Sequence, residues 1–159
     1  MQYRIALGAD HRGFALKELL RQKSAFGQHT IVWHDEGTYS PERTDYPLFA
    51  HKVIERLLNS EVDLAILTCG SGIGESIAAN RFTKVYAGLV WQPEVARMAK
   101  EDDNVNVLIL PADYITIDTA IACIEAWLSA TFKGGRYQER LAMIEAYHEQ
   151  KHEQKKKER

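Results

Sequence analysis

Short runs rich in β-branched residues alternate with stretches of helical periodicity along nearly the whole chain, and no other feature constrains the fold so tightly. Parallel strands need a crossover between them, and a helix in each crossover covers the two faces of a sheet. Residues 3–9 read as the first strand, and after Gly13 the residues Phe14, Leu16, Leu19 and Leu20 recur at helical spacing. Residues 30–34 read as the second strand. Asp45-Tyr46-Pro47 then opens a helix, with Pro47 in its first turn and Leu48, Phe49, Val53, Ile54, Leu57 and Leu58 expected on its buried face. Residues 64–68, 85–90 and 105–110 read as the third, fourth and fifth strands, with a short helix over 76–80 after the third. A helix from near Pro93 to near Lys100 separates the last two strands. Residues 117–131 read as helical, and a last helix starts at about Tyr137. The expectation is an α/β protein with a five-stranded parallel sheet between two helical layers.

The chain has 159 residues, the size of one domain, and the reading is a single domain over 1–147 with a polar tail over 148–159. A formal net charge of -2 offers no electrostatic basis for binding nucleic acid, so a small partner is expected. No apolar run approaches the roughly 20 residues of a membrane span, and Met1-Gln2-Tyr3-Arg4 enters a strand pattern at once, leaving no room for a signal peptide. A cytoplasmic protein is expected. Cys69 and Cys123, the two cysteines, read as separate thiols, with Cys123 in the apolar pattern of a helix.

Ligands in open α/β sheets gather beyond the carboxyl ends of the strands, which directs attention to two segments. In Gly8-Ala9-Asp10-His11-Arg12-Gly13 a carboxylate and an imidazole stand side by side, either as a helix cap with a surface histidine or as part of a site. In Thr68-Cys69-Gly70-Ser71-Gly72-Ile73-Gly74-Glu75, three glycines in five residues let backbone amides turn inward ahead of a helix, a setting for an oxyanion. A thiol in that field is expected to ionise more readily than a free one, which makes Cys69 a candidate base or nucleophile. The alternative is a tight turn with a buried cysteine. The G-x-G-x-G spacing and its place after the third strand do not fit a dinucleotide loop, and there is no Walker lysine. Arg136 and Arg140, one turn apart, are either a phosphate-facing pair or a solvated helix face.

Taken together, Gly8-Ala9-Asp10-His11, Arg43-Thr44-Asp45-Tyr46-Pro47, Cys69-Gly70-Ser71-Gly72-Ile73-Gly74, Ile77-Ala78-Ala79-Asn80 and Gly134-Gly135-Arg136 resemble the ribose-5-phosphate isomerase B family, which includes the galactose-6-phosphate isomerase subunits. The resemblance runs from Tyr3 to about Tyr147. It implies a Rossmann-like α/β/α sandwich that interconverts an aldose phosphate and a ketose phosphate without metal or other cofactor. It also implies a homodimer or tetramer whose sites are completed by the neighbouring subunit. By the same resemblance Cys69 is the base, Ser71 assists proton transfer to the substrate oxygens, and the loop Gly70, Gly72, Ile73 and Gly74 stabilises the enediolate. Asp10, His11 and Tyr46 contact the sugar or its phosphate, and Arg136 and Arg140 bind the phosphate. One branch of the family uses a glutamate at the position of Glu75 as base. A thiolate and a carboxylate side by side repel, so one of Cys69 and Glu75 is expected to stay protonated, with Cys69 favoured as base.

Four positions, at three places in the chain, depart from the family pattern. Asp102-Asp103 stand where histidine and asparagine open the sugar ring and hold the substrate, and aspartate is a poorer acid near neutral pH. Asp102 is thereby a candidate for ring opening and Asp103 for substrate contact. Asp113 stands where many members place an arginine, and Tyr137 where histidine is common. All four are expected on one side of the pocket. Ribose 5-phosphate is the expected substrate; the alternatives are another phosphosugar, such as galactose 6-phosphate or allose 6-phosphate, and a sugar-phosphate-binding protein without turnover.

Overall fold

The computed structural model describes residues 1–157, with side chains through Tyr147. Among the described residues there are six strands and six helices in the order β1 (Gln2–Ala9), α1 (Phe14–Arg21), β2 (Ala25–Phe26), β3 (His29–Asp35), α2 (Tyr46–Leu58), β4 (Leu64–Cys69), α3 (Ile73–Ala79), β5 (Ala87–Leu89), α4 (Pro93–Asp103), β6 (Val107–Pro111), α5 (Ile117–Ser129) and α6 (Arg136–Lys157). The strands form one sheet in the order β2-β3-β1-β4-β6-β5, parallel except for β2. From β1 the chain goes to β3 on one side and later to β4 on the other. The switch point of the sheet is therefore the crevice beyond Ala9 and Cys69, where a doubly wound fold receives its ligand.

Alternation along the strands builds two cores. Ile5, Leu7, Ile66, Leu108 and Leu110 face α1, α4 and α5, meeting Leu16, Leu20, Ala96, Cys123 and Trp127. Ala6, Ala65, Leu67, Val107 and Ile109 face α2 and α3, meeting Ala50, Val53, Ile54 and Ala79. Cys123 is fully buried in the first core and both thiols are free. The Trp127 indole N–H donates to the carbonyl of Val105 at 2.9 Å, which satisfies the one polar group of a buried aromatic. Lys17 is also fully buried; its ammonium donates to both oxygens of Asp35, at 2.9 and 2.7 Å, and so ties α1 to the end of β3.

The three-layer α/β/α architecture is the expected one, with one strand more. β2 is a two-residue antiparallel strand that turns through Gly27, at φ +54°, onto β3. So short a strand leaves no alternation to read, and Phe26 is held instead by an edge-to-face contact with Trp33 at 6.0 Å. α3 starts at Ile73 and not at Ser76, and α4 runs on through Asp103, closed by Asn104 in the left-handed region at φ 47°. The polar stretch 148–159 continues α6 to Lys157; its side chains and residues 158–159 lie outside the described residues. Among the described residues no helix is long and apolar enough to cross a membrane.

Candidate active site

At the end of β1, Asp10 is almost fully buried and its Oδ1 accepts the backbone N–H groups of Arg12 at 2.9 Å and Gly13 at 3.0 Å. This tight turn presses Gly13 onto the neighbouring strand so closely that a Cβ there would lie 2.2 Å from the Thr68 carbonyl oxygen. His11 turns toward the segment before α2, its Nδ1 lying 3.1 Å from the Thr44 carbonyl oxygen and 3.3 Å from the Thr44 nitrogen. Asp10 and His11 thus stand at the mouth of the switch-point crevice, held by main-chain contacts.

The second wall comes from the end of β4. Gly72 has φ +76°, which a glycine adopts without strain, and this reverses the chain directly into α3. Ser71 Oγ accepts the Ile73 N–H at 3.3 Å and the Gly72 carbonyl receives Ser76 N–H at 3.0 Å and Ser76 Oγ–H at 2.9 Å, so the loop is stitched to the first turn of the helix. Tyr46, from the start of α2, packs its ring against Gly74; a Cβ there would come within 2.8 Å of ring atoms. At the other end of α3, Asn80 donates to the Ala87 carbonyl and accepts the Ala87 N–H, both at 2.9 Å, which clamps α3 to β5.

Cys69 is the last residue of β4 and only 5% exposed. Burial pushes the thiol upward from its ordinary pKa, with smaller pushes from the charges of Glu75 and Asp10, while backbone N–H groups of Glu75 and Gly72 pull it back. Desolvation outweighs the favourable pull of these amides, contrary to the ready ionisation expected from the sequence. Glu75 is fully buried, neither carboxyl oxygen has a partner, and burial, then the charge of Asp10, pushes its pKa up to about 9. At neutral pH Glu75 is a neutral acid.

Asp10, His11, Tyr46, Cys69, Gly70, Ser71, Gly72, Ile73, Gly74 and Glu75 converge on this crevice. Asp102, Asp103, Arg136 and Arg140 do not. Asp103 ends α4 and precedes Val107, which pairs with Ala65 at the amino end of β4, whereas Cys69 pairs with Pro111 at the carboxyl end. At about 3.3 Å per residue the two ends of β4 are about 17 Å apart. Around that opposite edge Lys133 bonds Asp102 at 2.7 Å and Glu101 at 3.2 Å, and the Lys133 N–H reaches the Glu101 carbonyl at 2.9 Å. Lys133, Arg136 and Arg140 all lie against the ring of Tyr137, at 5.5, 5.1 and 5.5 Å. The three departures from the family pattern are also divided. Asp102-Asp103 and Tyr137 belong to this far edge, while Asp113 lies at the thiol edge in an ion pair with Arg12. A groove of about 530 Å³ lined by Lys84, Tyr86, Gln138, Leu141 and Glu145 lies against α6 and includes none of these candidates.

Sequence reading overlooked Arg12, Thr44 and Lys133. Arg12 and Thr44 lie inside segments singled out above, but their partners, Asp113 and His11, depend on which loops meet across the sheet. Fold and site together define a Rossmann-like α/β protein with a candidate proton-transfer centre at its strand ends. Residues 5–144 match the model of the Ribose/Galactose Isomerase family, and the chain belongs to that family. It is 40% identical over 144 residues to ribose-5-phosphate isomerase B of Escherichia coli (strain K12), covering 90% of this chain and 95% of that one. The crystal structure of a ribose 5-phosphate isomerase from Thermotoga maritima superposes with a TM-score of 0.83 at 40% identity, covering 91% of this chain and 98% of that one. Ribose-5-phosphate isomerase B of Mycoplasma genitalium, solved with bound ribulose 5-phosphate, gives 0.80 at 37% identity, covering 92% and 96%.

Proposed function

We propose that this protein interconverts ribose 5-phosphate and ribulose 5-phosphate through an enediolate, with Cys69 as the base. The observation that carries the reading is the place of Cys69 as the last residue of β4, at the sheet's switch point and directly before the glycine loop that turns into α3. The thiolate takes the proton from C2 of the aldose and returns it to C1. The loop Gly70, Gly72, Ile73 and Gly74 steadies the negative charge on the intermediate, and the Ser71 hydroxyl carries a proton between the two substrate oxygens. Asp10, His11 and Tyr46 hold the sugar, while neutral Glu75 adds no charge against the thiolate.

Arg136 and Arg140 would serve as phosphate ligands only from a second copy, since within one chain they face the opposite edge of the sheet. A homodimer with shared sites supplies them, along with Asp102 and Asp103, and its contact surface is available around the loop: Leu48, Ile73 and Ile77 are each more than half exposed. The domain is 1–147, the remainder of α6 an accessory tail, and the protein acts in the cytoplasm.

One observation favours a second reading, isomerisation of another phosphosugar. Asp102 is held by Lys133, and a carboxylate committed to an ammonium is a poor proton donor to a ring oxygen. Incubating the purified protein with a panel of four- to six-carbon aldose phosphates and following ketose formation decides between the two. Turnover of ribose 5-phosphate above all others supports the first; absence of turnover on every member rejects isomerase function.

A further inference from the structure

Arg12 occupies a position that the thiol and the loop do not explain. Asp10 fixes its backbone, and from there its side chain reaches across the sheet to Asp113, beyond the end of β6. Asp113 is itself anchored, its N–H donating to the Gly70 carbonyl at 3.0 Å, while the Ala112 N–H donates to the Cys69 carbonyl at 2.9 Å. The ion pair therefore bridges the residues that follow β1 and β6 over the first residue of the glycine loop. Gly70 makes room for it: a Cβ there would lie 2.6 Å from both Arg12 Nε and Asp113 Oδ2. The Arg12 side chain remains 60% exposed. Among the described residues its guanidinium has one acceptor, Asp113, so most of its five N–H donors are available to a ligand.

We propose that Arg12 is a phosphate-binding residue of the crevice, contributed by the same chain as Cys69, and that Asp113 is the positioning residue that holds it there. The proposal rests on the reading that the crevice receives a phosphosugar. An exposed arginine alone would sample many rotamers, and fixing one nitrogen on Asp113 aims the rest of the planar fork into the opening, the geometry suited to two phosphate oxygens. In this reading Asp113 does not mark the loss of a cation from the site; it orients one that enters from the turn after β1.

Steady-state kinetics on ribose 5-phosphate with Arg12→Gln, Arg12→Lys, Asp113→Asn and the Arg12→Gln/Asp113→Asn double variant test this, alongside calorimetric binding of inorganic phosphate. Arg12→Gln is expected to raise KM about ten- to a hundredfold while kcat moves less than about threefold, and to weaken phosphate binding correspondingly, because one charged hydrogen-bonding partner is lost. Arg12→Lys should recover part of the loss. Asp113→Asn should raise KM by less, and the double variant should be no worse than Arg12→Gln, since Asp113 acts through Arg12. Unchanged KM in Arg12→Gln, or a fall confined to kcat, overturns the assignment, and additive losses in the double variant overturn the role of Asp113. Should the wild type turn over no phosphosugar, the calorimetry still decides: phosphate binding lost in Arg12→Gln keeps Arg12 as a ligand while the isomerase reading falls. Equal binding by both proteins, or none by the wild type, rejects Arg12.

Discussion

Glu75 acts on Cys69 in two opposed ways: its backbone N–H favours the thiolate, and its own carboxylate, once ionised, disfavours it. The fold resolves the conflict by sealing the carboxyl from water without a hydrogen-bonding partner, so that it holds its proton up to about pH 9.

With Cys69 as base, Cys69→Ala should lower kcat on ribose 5-phosphate by about a thousandfold or more, while Glu75→Gln, which keeps a neutral side chain, should retain measurable turnover. Because burial raises the thiol's pKa, kcat/KM should climb with pH from 6 to beyond 8. Wild-type rates in Cys69→Ala would transfer the role of base to Glu75.

Stability should fall with rising pH because of the same carboxyl. Between about pH 4.5 and about 9 the folded chain keeps the Glu75 proton that the unfolded chain has released. The folded state binds more protons in that window, so each increase in pH favours unfolding. Glu75→Gln removes this slope, so the stability lost by the wild type between pH 5 and pH 8, up to about 4 kcal/mol, should be absent in the variant, read from denaturant unfolding at both pH values.

Shared sites predict complementation. Cys69→Ala and Arg136→Ala, each nearly inactive alone, should recover about a quarter of wild-type activity when unfolded and refolded together, since half of the dimers are mixed and each mixed dimer has one intact site. No recovery on mixing, in subunits shown to have exchanged, would place each site within a single chain.

Gly74→Ala pushes a methyl group into the Tyr46 ring and should cost about 1–3 kcal/mol of stability, with loss of activity as the loop shifts. Thermal unfolding of Gly74→Ala against a Gly74→Ala/Tyr46→Ala double variant checks the cause: the second change should return part of the stability by removing the clash.

The layers of the fold and the thiol edge of the site were legible because each rests on local pattern. Period-two and helical spacing reported β1, β3, β4, β5, β6 and the five longest helices, and strand-end placement reported Asp10, His11, Cys69 and the glycine loop. What escaped reading depends on contacts between distant residues. Ile73 begins α3 although glycines stand on either side, because Gly72 supplies the reversal and Tyr46 needs the space at Gly74. Asp113 looked like a loss of positive charge until its partner, 101 positions earlier in the chain, was placed beside it. Desolvation of Cys69 likewise comes from the packing around it, which loop sequence does not report.

The two outermost strands of the sheet, β2 and β5, have only two and three residues. An unpaired strand edge is where another polypeptide can extend a sheet, and edges this short present too few free amides and carbonyls to template such growth. Neighbouring copies at high concentration are thereby steered away from edge-to-edge fibril formation, and association is left to the side chains of the covering helices.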